Sequence, residues 1–301
     1  MKALFSFLLI FSFSLYSQIT NDSSSTYKLA NITAVTPAGE YDAPRWSPDG
    51  SKILFTKQST TGLYVLELKT RQITKLNNIR GAGYNATWSN DSKSIYFRDR
   101  ISEKSGKNKY QTRTSSIDVT TGETASHPEI DIFSIPSRAK AKSGNDIVVY
   151  YDTFTIKAST LDKSKEWIIA KTEEKYGAYY GLVLSPDKKK ILIHQNGEML
   201  IYATDGSGLI RSLGRAGIAD CWTSDGKQIL SHISKDDGHE ITGSDLYLIN
   251  SDGTHKYQLT NTPDIFENEP DLSPDNKQVV FSDLNTGIIY IADFIKNYKG
   301  D

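Results

Sequence analysis

The sequence predicts an all-β protein, a six-bladed β-propeller of four-stranded antiparallel blades closed by the N-terminal strand. Three observations predict it. A short phrase recurs along the 301-residue chain, two further apolar runs follow most copies, and a strand candidate near the start belongs to no repeat while the last repeat is one strand short.

The phrase is clearest at Trp46-Ser47-Pro48-Asp49-Gly50-Ser51-Lys52-Ile53-Leu54-Phe55. Weaker copies begin at Trp88, Leu184, Thr223 and Leu272, and a degraded one runs from Lys142 to Tyr150. With serine as the register mark the copies fall at Ser47, Ser89, Ser143, Ser185, Ser224 and Ser273, in steps of 42, 54, 42, 39 and 49 residues. That period marks a repeat array. Proline presets φ, and Asp-Gly or Asn-Asp closes a tight turn between two apolar runs, so each copy reads as strand, turn, strand. A third run such as Gly62 to Leu68 and a fourth such as Gln72 to Leu76 complete one antiparallel blade. A blade cannot cover both its faces alone, and blades stacked around an axis form a propeller.

Taken in order, residues 1–17 carry a basic start, an apolar middle and a small residue where cleavage fits, and read as a secretory signal peptide. The apolar run is shorter than the ~20 residues a spanning helix needs, so no transmembrane anchor is expected in the mature chain. Residues 18–26, rich in Ser, Thr, Asn and Asp, read as a linker, and 27–301 as the propeller. The strand candidate Tyr27 to Val35 precedes the first phrase, whereas the last repeat offers strands only around Asn268 to Leu272, Gln278 to Ser282 and Ile288 to Asp293. The N-terminal strand is therefore expected to complete the final blade and remove the open edges of a linear array. The blades fall at 41–80, 81–133, 134–176, 177–216, 217–265 and 266–294 with that strand. Blade three, without the turn proline, could instead be an irregular insertion in a five-bladed ring. Long insertions are expected at Arg98 to Lys109 and Ser234 to Ser244, opening on the face that carries the connections between blades.

With 35 basic and 36 acidic residues the charge is close to balanced, which argues against a dedicated nucleic-acid binder, for which a strongly basic face would be expected. The one cysteine, Cys221, forbids an intrachain disulfide and reads as a structural thiol, no histidine lying near it in sequence.

The segment Asp245-Leu246-Tyr247-Leu248-Ile249-Asn250-Ser251-Asp252-Gly253-Thr254, continuing to Tyr257-Gln258-Leu259-Thr260, resembles the WD40-like repeat of the TolB C-terminal propeller, with a weaker copy at Met199 to Leu213. The resemblance spans about residues 27–295 and implies a six-bladed TolB-like propeller. It implies a periplasmic or secreted protein that engages an envelope or extracellular protein or peptide. The chain departs from TolB in passing from signal peptide almost directly into the propeller, with no room for the α/β domain that precedes it there. Related propellers gate serine peptidases, but no Gly-x-Ser-x-Gly elbow exists in this chain.

First strands line the central channel, so residues just before each register serine ring its mouth. Five before stand Asp42, Tyr84, Arg138, Tyr180, Ala219 and Asn268; four before stand Ala43, Asn85, Ala139, Gly181, Asp220 and Glu269; Arg45 lies close by. Of these, Asp42, Arg45, Tyr84, Asn85, Arg138, Tyr180, Asp220, Asn268 and Glu269 form the candidate binding set, a mixture of carboxylates, tyrosines and arginines suited to a peptide, a glycan or a cation. No catalytic residue and no cofactor is assigned. The expected function is a non-enzymatic binding or scaffold propeller. The alternative is a metal-dependent lyase of uronic-acid glycans, for which His232, Asp236, Asp237, His239 and Glu240 supply the one metal constellation that can be written down.

Overall fold

The computed structural model describes residues 20–21, 27–102, 110–127, 147–151, 153–160 and 164–296. Leader residues 1–17 and most of the expected linker lie outside them. Two strands, β1 (Thr20–Asn21) and β2 (Tyr27–Ala34), precede the blades. Blade one is β3 (Tyr41–Trp46), β4 (Lys52–Lys57), β5 (Thr61–Glu67) and β6 (Gln72–Arg80). Blade two is β7 (Thr87–Trp88), β8 (Ser94–Ser102), β9 (Tyr110–Asp118) and β10 (Thr124–Ser126). In blade three the described residues form β11 (Ile147–Tyr151), β12 (Thr155–Thr160) and β13 (Glu166–Lys171). Blade four is β14 (Tyr179–Leu184), β15 (Lys190–Gln195), β16 (Glu198–Ala203) and β17 (Leu209–Ser212). Blade five is β18 (Ile218–Trp222), β19 (Gln228–Asp236), β20 (Ile241–Asn250) and β21 (His255–Gln258). Blade six is β22 (Glu267–Leu272), β23 (Gln278–Asp283) and β24 (Ile289–Lys296), and β2 completes it.

The molecule is a six-bladed, all-β propeller. The ring closes as the orphan strand predicts: β2 pairs antiparallel with β24, from Tyr27 opposite Lys296 to Ala34 opposite Tyr290. Part of the expected linker is itself paired, Thr20 and Asn21 adding β1 in parallel to the outer edge of blade five.

Each of the five described phrase turns is locked the same way, that of blade three lying outside the described residues. Ser47 Oγ donates to Asp49 Oδ1 at 2.6 Å and accepts the Lys52 N–H at 2.9 Å, while Asp49 Oδ1 also accepts the Ser51 N–H. Ser89 with Asp91, Ser185 with Asp187 and Ser273 with Asp275 repeat the lock. In blade five the part is played by Thr223, which donates to Asp225 and accepts the Gln228 N–H. The register mark of that blade is therefore Thr223, one residue before the serine expected, because any β-carbon hydroxyl can make the two bonds.

The core lies between blades rather than within them. Ile53, Phe55, Tyr64 and Leu66 of blade one pack on Val280, Ile289 and Ile291 of blade six, and Tyr27 of β2 joins Leu230, Leu246 and Phe281 between blades five and six. Tryptophans tie adjacent blades: Trp88 Nε1 donates to Arg45 O at 3.3 Å and Trp222 Nε1 to Val183 O at 3.1 Å. Cys221, partly buried, packs against the core between blades five and six.

Neither expected insertion is a loose loop where it is described. Residues 234–244 form a continuation of the β19–β20 hairpin, with Lys235 opposite Gly243 and Asp236 opposite Ile241. The β8–β9 hairpin likewise extends to Ser102 opposite Tyr110, with 103–109 outside the described residues. Main-chain pairing satisfies backbone groups that a loop would leave to water.

Candidate functional site at the channel mouth

The first strands meet around the axis, β22 against β3 and β18 and β18 against β14. Near the mouth each of these four strands carries a bulge. In blade one Asp42 opposes Thr56 and Arg45 opposes Leu54; blades four and six repeat this with Tyr180 opposite His194 and Asn268 opposite Ser282. The residue after each of these is left-handed: Ala43 (φ 52), Gly181 (φ 65) and Glu269 (φ 44), as is Asn85 (φ 56) in blade two. A bulge bends its strand and re-aims the side chains beside it. In blade five Ile218 opposes His232, so Ile218 and Ala219 take the places expected for Ala219 and Asp220. This follows from the shifted register mark.

The bulges gather one charged arc from blades five, six and one. Arg45 Nη2 pairs with Glu269 Oε2 at 2.8 Å, and Arg45 Nη1 donates to Glu269 O at 3.2 Å. Asp42 Oδ1 accepts three donors: the Ala43 N–H at 2.8 Å, Ser282 Oγ at 2.9 Å and Asn268 Nδ2 at 3.1 Å. His232 Nδ1 donates to Asp220 Oδ2 at 2.8 Å, and buried Asp271 accepts the Trp46 N–H at 2.7 Å. Burial works against charge on Arg45, but Glu269, Asp271 and Asp220 hold its guanidinium more firmly protonated than usual. Burial also disfavours a charged His232, yet Asp220 raises it above the ordinary imidazole value. Glu269 is raised too, by burial and by the like charges of Asp42 and Asp220, in spite of Arg45.

An aromatic and aliphatic wall adjoins this arc. The Tyr180 ring, 39% exposed, stacks at 5.3 Å on His194, which is wholly buried and accepts the Ala219 N–H on Nε2. Desolvation pushes His194 down to about 4, so it is neutral. Ile218 beside it is 41% exposed. In blade two Tyr84 shares a hydrogen bond with Tyr151 of blade three and lies 5.3 Å from the Arg98 guanidinium, while Asn85 is exposed.

Of the candidate set, Asp42, Arg45, Asp220, Asn268 and Glu269 come together, Tyr180 adjoins them through His194, and Tyr84 meets Tyr151, which also bonds the Gly181 backbone next to Tyr180; Asn85 is exposed in blade two. Arg138 lies outside the described residues. Sequence reasoning missed His194, Ile218 and Ser282, and it assigned His232 to the hairpin constellation rather than to the mouth. The signal was there for three of them: with Thr223 as the mark, His194, His232 and Ser282 all fall nine residues after it, on the second strand.

The hairpin constellation does not assemble. His232 is buried against Asp220, whereas Asp237 at the exposed hairpin tip accepts the His239 and Glu240 N–H groups as an ordinary turn. Among the described residues no group of three or more His, Cys, Asp or Glu side chains is placed to hold a metal ion. A shallow depression of about 470 Å³ on the opposite face is lined by Asp275, Lys277, Gln278, Asp293 and Phe294. There Asp275 and Asp293 are engaged by turn and strand donors. No helix among the described residues is long and apolar enough to cross a membrane.

The geometry defines a class: a six-bladed β-propeller with a charged, half-aromatic channel mouth. No family model matches the chain, and no curated protein matches it. Solved structures do. A gluconolactonase from Xanthomonas campestris superposes with a TM-score of 0.60 at 12% identity, over 92% of this chain and 94% of that one. Oligogalacturonate lyase from Vibrio parahaemolyticus gives 0.52 at 15% identity, over 86% and 79%. A putative TolB from Agrobacterium tumefaciens gives 0.53 at 15% identity, over 87% and 96%. At such identities the likeness is one of fold, which enzymes and non-enzymes share.

Proposed function

We propose that the chain is a secreted or periplasmic TolB-like propeller that binds a protein or peptide partner at the channel mouth, as a scaffold with no chemistry of its own. One observation carries the reading: the mouth's polar and charged groups come from different blades and are pinned to one another across a blade boundary, Arg45 to Glu269 and Asp42 to Asn268. Groups held this way present a site that loses little conformational freedom on binding. The repeat phrase and the fold likeness to a putative TolB support the family placement. The leader at 1–17 supports export, which N-terminal sequencing of the mature protein checks.

The test is affinity capture from an envelope extract with residues 18–301. A specific partner is expected, released by Asp42→Ala combined with Glu269→Ala in a protein that remains folded by circular dichroism. Unchanged capture by the folded double variant counts against the mouth as the site. Chelator-sensitive turnover of a uronic-acid polymer, with no partner captured, replaces the scaffold reading by the lyase.

A further inference from the structure

We propose that Glu267 is a proton-operated latch between blades five and six: protonated, it keeps the connecting segment 261–266 closed beside the channel mouth, and ionised, it lets that segment lift and admit water. Glu267 is the first residue of β22 and is wholly buried. Its Oε1 accepts the Thr262 hydroxyl, whereas Oε2 is sealed from solvent and has no hydrogen-bond partner. A neutral carboxyl occupies such a place at modest cost. A carboxylate there leaves a charged oxygen with neither water nor a donor, which is far more costly.

The surroundings also favour the neutral form. From β20 the Asp245 carboxylate, 2% exposed, adds a like charge, with Tyr247 beside it. From β19 Lys235 Nζ pairs with Asp245 Oδ2 at 2.8 Å, so that cation already serves another carboxylate. Asp283 of β23, opposite Glu267, is engaged by the Phe266 and Asn285 N–H groups and the Thr286 hydroxyl. Asp42 and Arg45 of β3, Asp220 of β18 and His232 of β19 act on Glu269, two residues further along β22. Burial pushes Glu267 up to about 7; the hydroxyls of Thr262 and Thr260 and its own N–H work against the rise, and Asp245 adds to it.

Segment 261–266 is the part able to yield. Asn261, Pro263 and Asp264 are exposed, and the Ile265 N–H reaches Thr262 O only at 3.5 Å. Blade six holds it by the Thr262 hydroxyl on Glu267 and by Phe266, whose N–H donates to Asp283 Oδ1 at 3.0 Å. Beneath a lifted segment Glu267 regains water and its ordinary value of 4.5, against about 7 when closed. Closure is therefore most favoured below about pH 4.5. Lifting becomes easier as pH rises to about 7, on the order of a hundredfold in all, and changes no further above that. The latch does not depend on what the mouth binds.

The test is amide hydrogen exchange at Ile265 and Phe266 in the full mature protein, as protection factors so that the intrinsic pH dependence of exchange cancels, beside Glu267→Gln. Wild-type protection should fall on the order of a hundredfold between about pH 4.5 and 7 and then level off. Glu267→Gln, neutral at every pH, should show no such fall. Carbon-13 titration of the Glu267 carboxyl in the wild type should give a midpoint near 7 that coincides with the levelling, and it decides the matter even if the variant fails to fold. A midpoint near 4.5 overturns the proposal, as do matching wild-type and variant profiles. A midpoint near 7 with constant protection at Ile265 and Phe266 also overturns it, leaving a buried proton that moves nothing.

Discussion

Gly181 and His194 show what single residues decide at the mouth. Gly181 sits at φ +65°, and a β-carbon there would lie 2.9 Å from His194 Cδ2. Gly181→Ala should therefore destabilise the protein by about 1–3 kcal/mol, through both the left-handed backbone and the displaced imidazole. Urea denaturation measures this, and an unchanged midpoint refutes it. His194 has the opposite pH signature to its neighbours. Its folded-state value of about 4 lies below the ordinary 6.5, so the unfolded chain takes up a proton that the folded chain refuses. The stability it confers is present above about pH 6.5 and is lost as pH falls towards 4, on the order of 3 kcal/mol in all. His232 and Glu269, both raised, oppose this by stabilising the fold at lower pH. The difference between wild type and His194→Gln across pH 7 to 4.5 isolates the His194 contribution, and parallel curves would exclude it.

The four-stranded blade is the element on which the chain is built, and its turn was legible because it is local. Six consecutive residues contain both the hydroxyl and the carboxylate that lock it, so spacing in the sequence maps directly onto contact. Blade five is where the reading by serine slips. Thr223→Ala, which removes the bonds to Asp225 and Gln228, should cost about 1–2 kcal/mol, whereas Ser224→Ala, exposed beside it, should cost markedly less. Equal costs in thermal melts would restore the serine register. The bulges were not legible. Ala43, Asn85 and Glu269 have no common side-chain chemistry that marks a left-handed backbone, and the conformation is imposed by pairing across the blade.

Across the whole molecule, closure is the feature on which the others depend. β2 supplies the outer strand of blade six and sends Tyr27 into the core between blades five and six, where Leu29 and Ile32 pack beside it. Removing residues 27–34 should expose the β24 edge and about 2–3 kcal/mol of apolar burial for Tyr27 alone. Loss of the monomer peak in gel filtration is the expected result, and a monomer with an unaltered urea midpoint would sink the claim. Closure could be foreseen because one orphan strand and one missing strand can be counted. The candidate site was expected as a ring of positions, and among the described residues only part of that ring comes together. The sequence by itself determined the repeat, most of its turns and the closing strand, since each depends on residues near in the chain or on counting, whereas the tertiary structure decided for six blades over five. Only the tertiary structure decided that Arg45 meets Glu269, 224 residues away, and that His232 turns inward to Asp220 instead of serving its hairpin. It also decided which oxygen of each mouth carboxylate is engaged. Those pairings join strands of different blades, or strands bent by bulges, and the distances between them are set by the closed ring rather than by any local pattern.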